Sequence, residues 1–337
     1  MDLRTLPKVE LHCHLEGCFR LETAREVGRT LGLDVPHEID AFRREWLITE
    51  PMDSLETALK KFDNIQAMWS SPELIQRLTL EACEYAEQQG IRILELRYSP
   101  NFIAGSNPKL DFESVHRHIL AGLEMASDLD LAVGLIGIVQ KTLSNKEAEY
   151  TTDFIVENKD TFVGIDLADQ DIGFEIRRFA PMLDRARAAG LHVTTHSGEE
   201  RVPEAPQHVR VAIEELGAER IGHGIHIIED PEVIEFVKER RVLFEVCPTS
   251  NWLTNAVSST AAHPIRRLMD LGVRVSINSD DPGLFDIDLC HEYQLLQAEH
   301  DFDEAAFNHC NDLAASHSFL ASDAKQAVWP RPIPVLG

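Results

Sequence analysis

The chain has 337 residues, 44% of them apolar, which is ample for a large core. Its net charge of −25 argues against a phosphate-backbone partner, because nucleic-acid binders present a basic face. No stretch approaches the roughly 18 uninterrupted apolar residues of a membrane-spanning helix, so no membrane partner is expected either.

Residues 1–8 lack the apolar segment that directs secretion. Cys13, Cys18, Cys83, Cys247, Cys290 and Cys310 show no CxxC spacing. They read as the reduced thiols of a cytoplasmic protein.

In chain order, apolar and β-branched runs predict strands at Val9–Leu15, Ile91–Tyr98, Leu131–Val139, Phe162–Leu167, His192–His196, Arg220–Gly222, Val242–Val246 and Val273–Asn278. Amphipathic stretches lie between them: Pro72–Gln88, Phe112–Leu129, Phe179–Ala189, Val209–Leu216, Pro231–Glu239 and His263–Leu271. Eight strands alternating with helices predict an α/β fold, a (β/α)8 TIM barrel, with residues 1–337 forming one domain. The long interval 16–90 predicts extra helices inserted after the first strand as a lid, one of them over Asp53–Met68. The Pro-rich tail, Val328–Gly337, predicts an extended surface segment.

Four of the strand runs end in residues that bind metals or move protons: His12-Cys13-His14, His196-Ser197-Gly198-Glu199, Gly222-His223-Gly224 and Ser279-Asp280-Asp281-Pro282. Such groups meet only if the strands are parallel and end on one face. His12 and His14, two apart on a strand, point the same way. With His196 and Asp280 they make a three-imidazole, one-carboxylate set that suits zinc. Cys13 faces oppositely and reads as a small buried apolar residue.

A carboxyl partly desolvated at Glu199 would stay protonated near neutral pH and serve as an acid. His223, flanked by glycines, suits accepting a proton from an attacking water or orienting it. If Asp280 is the ligand, Asp281 is free for a substrate nitrogen. Each segment also has a plain reading when taken alone. The histidines would be half-exposed strand residues or hydrogen-bonded structural ones, Glu199 a helix-start acid, and Asp-Asp-Pro a turn or helix start.

Together these segments resemble the adenosine deaminase family of metal-dependent amidohydrolases. The matches are Pro7 to Gly17 (PKVELHCHLEG), Glu95 to Pro100 (ELRYSP), Thr195 to Glu199 (THSGE), Glu219 to Gly224 (ERIGHG), Cys247 to Asn251 (CPTSN) and Ser276 to Pro282 (SINSDDP). The resemblance runs from about residue 6 to 325. It implies a barrel holding one Zn²⁺ at His12, His14, His196 and Asp280. It also implies hydrolytic removal of the 6-amino group of a purine nucleoside as ammonia. Glu199 would protonate N1, His223 would assist the water, Asp281 would contact N7, and Glu16 would contact the ribose 5′-hydroxyl. His14 and Phe62 would also border the substrate.

Two departures bear on the substrate. The family's fourth strand ends Asp-Leu-Ala-Gly, with the glycine near purine N3, whereas this chain reads Asp166-Leu167-Ala168-Asp169. A carboxylate there would narrow or recharge that edge. In the lid, Ala58-Leu59-Lys60-Lys61-Phe62 has one aromatic where the family often has two. The leading expectation is deamination of adenosine and 2′-deoxyadenosine. The alternatives are the same chemistry on adenine, aminodeoxyfutalosine, methylthioadenosine or another 5′-modified adenosine, and a non-catalytic binding barrel. The stretch from Cys247 to Thr254 resembles the nucleoside branch more than the free-base branch.

Overall fold

The computed structural model describes residues 2–52, 55–169 and 171–334, with backbone alone over 55–60. Among these, eight strands form one sheet in chain order: β1 (Lys8–His14), β2 (Ile91–Tyr98), β3 (Ala132–Gln140), β4 (Gly164–Ala168), β5 (His192–Ser197), β6 (Arg220–His223), β7 (Leu243–Val246) and β8 (Arg274–Ile277). Every consecutive pair is parallel. The strands are buried along nearly their whole length. Parallel strands covered by helices need that continuous apolar character.

The seam between β8 and β1 is closed differently. An isolated parallel bridge joins Cys13 to Asp280. Lower down, side chains replace backbone ladder bonds. The Asn278 carboxamide oxygen accepts Leu11 N–H at 3.0 Å, and that of Asn311 accepts Val9 N–H at 2.9 Å. The result is a nearly closed (β/α)8 barrel.

Helices Leu21–Thr30, Ile39–Trp46, Leu55–Met68 and Pro72–Gln88 fill the interval after β1. Helix Pro72–Gln88 begins where sequence places it because Ser71 Oγ accepts Leu74 N–H and Pro72 occupies the first turn. Helix Asn145–Glu157, between β3 and β4, was not among the expected stretches; a Ser144–Glu147 capping box starts it. The described part of the tail runs irregular and mostly exposed, as expected, except that Val328 ends a helix and Trp329 is buried. Trp329 packs with Val9, Leu11, Ile93 and Leu243, and its indole N–H donates to Asp312 at 3.3 Å. A large amphipathic ring gains more by that burial than by lying in water. No described helix is long and apolar enough to cross a membrane, and all six cysteines are buried and free.

Candidate active site

The sequence-derived groups converge at the C-terminal ends of the strands. His12 and His14 end β1, Glu16 follows in a short turn, His196 lies near the end of β5, His223 ends β6, and Asp280 and Asp281 follow β8. A cavity of about 770 Å³ opens there, lined by His14, Glu16, His196, Glu199, His223, Asp280 and Asp281, with His12 buried beneath. Asp169 and Phe62 border the same cavity.

Two carboxylates behind the histidines fix their orientation. His12 Nδ1 lies 2.9 Å from Glu245 Oε2, and His196 Nδ1 lies 3.1 Å from Asp166 Oδ1. Arg97 donates to both carboxylates, at 2.8 Å to Asp166 and 2.7 Å to Glu245, and Arg220 adds a 2.7 Å bond to Glu245. Burial alone would raise both acids. The guanidiniums, with His196 on Asp166, hold them well below the usual carboxylate range. Ionised acceptors at Nδ1 place the protons there and leave each Nε2 lone pair facing the cluster.

Those lone pairs meet one another. His14 Nε2 lies 3.3 Å from His196 Nε2 and 3.2 Å from Asp280 Oδ1, which is 3.3 Å from His12 Nε2. His12 Nε2 is buried and makes no hydrogen bond among the described residues. Against the effect of burial, Asp281 and Asp280 push the His14 imidazole up to about 9. Burial lowers His12 and His196, which keeps those rings neutral lone-pair donors, and three imidazoles with one carboxylate are a zinc donor set. An overlapping group substitutes His223 and Cys247 for two of the histidines. Burial raises the Cys247 thiol well above its ordinary value, which disfavours the thiolate a metal needs. Ser250 Oγ donates to the second Asp280 oxygen at 2.6 Å, which fixes the carboxylate.

Glu199 sits in the turn after β5. Burial, reinforced by Asp280, raises its carboxyl to about 7, although Thr254 Oγ1 donates to it at 2.9 Å. His223 belongs to a relay with a readable direction. Ile265 N–H donates to His263 Nδ1, so the His263 proton lies on Nε2 and is given to Asn251 Oδ1 at 3.1 Å. The Asn251 amide nitrogen then donates to His223 Nδ1 at 3.1 Å. Burial lowers the His223 imidazole and keeps it neutral. Its proton is therefore on Nε2, 3.6 Å from Glu199 and 3.9 Å from Asp280.

Two glycines make room for this packing. A Cβ at Gly17 would lie 2.1 Å from Asp281 Oδ1, and one at Gly222 would lie 2.8 Å from His12 Cε1. Burial and the neighbouring carboxyls raise Asp281. Glu16 accepts Ser99 N–H at 2.7 Å through one oxygen, while the other is buried without a partner among the described residues. Its carboxyl is pushed up to about 7 by burial.

Asp169 adopts φ 77°, the left-handed region natural to the family's glycine. Its carboxylate accepts Thr142 Oγ1 at 2.7 Å. Phe62 lies exposed on the rim. The side chains of Ala58, Leu59 and Lys60 lie outside the described residues. Sequence reasoning missed Arg97, Asp166, Arg220, Glu245 and Asn251. For Arg97, Asp166 and Glu245 the signal was a charged residue inside an otherwise apolar run, which burial permits only with partners.

A parallel eightfold barrel with imidazoles and carboxyls gathered at its strand ends is the architecture of a barrel hydrolase. The family model described as Adenosine deaminase matches residues 7–331. An adenosine deaminase of Serratia proteamaculans is 34% identical over 325 residues, 96% of this chain and 97% of that protein. One of Shewanella denitrificans is 32% identical over 328 residues, 97% and 98% respectively. Among solved structures, an adenine deaminase from Arthrobacter aurescens superposes with a TM-score of 0.85 at 25% identity, covering 96% of each chain. A Burkholderia ambifaria amidohydrolase with bound Zn gives 0.83 at 25% identity, covering 96% and 89%. An Arabidopsis protein complexed with IMP gives 0.81 at 26%, covering 97% and 96%. The chain belongs to the adenosine deaminase family. It is a purine deaminase, a hydrolase acting on C–N bonds.

Proposed function

We propose that the chain hydrolyses adenosine and 2′-deoxyadenosine to inosine and 2′-deoxyinosine, releasing ammonia. One observation carries this reading: an elevated, half-buried carboxyl, Glu199, shares a cavity with a three-imidazole, one-carboxylate donor set. His12, His14, His196 and Asp280 would hold zinc, as the zinc-bearing Burkholderia ambifaria neighbour supports. Bound there, zinc supplies Lewis-acid activation of the attacking water.

The remaining work falls to side chains. Glu199, still protonated near pH 7, donates to purine N1 and so makes C6 electrophilic. His223, with its proton on Nε2, orients the water rather than removing its proton. Asp281, raised and so able to keep a proton, donates to N7. Glu16 offers its unpartnered oxygen to the ribose 5′-hydroxyl. Asp169 bounds the N3 edge and Phe62 the rim.

Charge favours a nucleoside over a nucleotide. Among the described residues that line the cavity there is one arginine, Arg201, and no lysine, while Asp169 and Glu200 add carboxyls. With so little positive side-chain charge to pair with, a substrate phosphate would find poor compensation for leaving water. The apolar residues Phe62, Ile65, Phe102 and Ile172 near the mouth favour, as a second reading, an adenosine carrying an apolar 5′-substituent. Ammonia release from adenosine, 2′-deoxyadenosine, methylthioadenosine, aminodeoxyfutalosine, adenine and AMP tests both. Adenosine and deoxyadenosine should show the highest kcat/KM and AMP near-background turnover. Preference for AMP or adenine overturns the assignment, and no turnover of any member favours a binding barrel.

A further inference from the structure

Two loops of the cavity wall brace each other reciprocally, and neither carries a proposed metal ligand. Lys141, directly after β3, is fully buried. Its ammonium donates to the Asp171 carboxylate at 2.6 Å, to the Asp169 carbonyl at 2.9 Å and to the His196 carbonyl at 2.6 Å. The other Asp171 oxygen accepts Gly198 N–H at 2.8 Å and Ser197 Oγ–H at 3.1 Å. In return, Glu200 Oε2 accepts the backbone N–H of Asp171 and of Ile172, each at 2.8 Å. Glu199 lies between the two anchored positions, Gly198 and Glu200.

We propose that the Lys141–Asp171 pair is a positioning device that sets the Glu199 carboxyl against the substrate ring. The proton donor sits on a turn whose glycine has φ 70° and offers no side chain of its own to packing. A turn of that kind is held by its hydrogen bonds. Three of the bonds that hold this one run to Asp171, and Lys141 ties Asp171 to the Asp169 carbonyl just past β4 and to the His196 carbonyl in β5. Burial would raise the Asp171 carboxyl, yet Lys141, with His208 at 3.7 Å and the Gly198 N–H, holds it well below its ordinary value, so it stays an ionised acceptor. Neither residue lines the cavity. Their influence on turnover must pass through Glu199 and the adjoining wall.

The inference rests on the deamination reading, which wild-type ammonia release in the same assay tests separately. Asp171→Ala should lower kcat about 10–100-fold, the scale of a displacement of about 1 Å at a reacting group. KM should stay within about threefold, with metal content at the wild-type level. Because Asp171→Ala strands a buried ammonium, two further variants guard against simple misfolding. Lys141→Met with Asp171→Asn removes both charges and keeps an amide oxygen for Gly198 N–H, so it should recover much of kcat. Glu200→Ala, at a half-buried position on the cavity wall, loosens the returning arm and should lower kcat by a smaller factor. Loss of metal in parallel with kcat, an equal rise in KM, or unchanged kcat in all three folded variants would overturn the proposal.

Discussion

Cys13 and Asp280 face each other across the seam that closes the barrel, and this bridge brings the donor set together. His14 N–H donates to the Asp280 carbonyl at 2.8 Å, and Asp280 N–H donates to the His12 carbonyl at 3.0 Å. The Asp280 backbone is thus tied to both histidine residues before its carboxylate reaches their rings. Asp280 pays for this with φ 65°, an uncommon conformation for a side-chain-bearing residue, of the kind that clusters at functional sites.

The adjacent acids should therefore separate cleanly. Asp280→Asn is expected to lose metal and turnover together. Asp281→Ala should keep metal and lose kcat/KM by about 10–100-fold, the size of one good substrate hydrogen bond in a desolvated site. Metal content by atomic spectroscopy beside steady-state kinetics decides it. The reverse pattern would exchange the two roles.

Glu199→Gln keeps size and hydrogen bonding but cannot deliver a proton. Turnover should fall by about 10²–10⁴-fold, the usual worth of general acid catalysis. Metal content should be unchanged. A near-wild-type kcat would move the acid elsewhere.

Zinc binding should release protons. Asp281 and Asp280 hold His14 protonated up to about pH 9 despite its burial, and a metal ligand must give that proton up. Calorimetric titration of metal-free protein at pH 7.5, in buffers of different ionisation heat, should show roughly one proton or more released per zinc bound. Binding with no proton release contradicts His14 as a ligand.

The strands were legible because long apolar, β-branched runs stand out, and Ile91–Tyr98 coincides with β2 end for end. Helix Asn145–Glu157 was not, because its apolar stripe is interrupted by Lys146, Glu147, Glu149 and Asp153, and its start signal is the capping box. The groups facing the cavity were legible because they follow strand ends at readable spacings. The layer behind them was not. Glu95 and Arg97 within Ile91–Tyr98, and Glu245 within Leu243–Val246, look like interruptions in one dimension. Only folding shows that Arg220 joins Glu95 to Glu245 and that Arg97 joins Glu245 to Asp166. Asp169 was legible as a departure, but its bond to Thr142 was not.

The last prediction concerns acid stability at a site remote from the cavity. His116 is buried beside Tyr98 and Phe162, stacking on Phe162 at 4.6 Å between ring centroids. Thr161 donates its hydroxyl proton to the Asn158 carbonyl, so His116 Nε2–H must donate to Thr161 Oγ1, at 2.7 Å. Tyr98 then donates to Nδ1 at 2.9 Å. The neutral ring is fully satisfied and has no carboxylate partner among these contacts. Burial accordingly lowers the imidazole to about 4 from an ordinary 6.5. Below pH 6.5 the unfolded chain binds a proton that the folded chain refuses until about pH 4. Stability from this residue is therefore complete above 6.5 and is lost as pH falls towards 4, to a limit on the order of 3 kcal/mol. His116→Gln keeps a donor and an acceptor but cannot titrate. Its stability deficit relative to wild type in urea unfolding should be largest at pH 7 and shrink steadily towards pH 4.5. A deficit independent of pH would show that His116 does not titrate differently in the folded and unfolded chains.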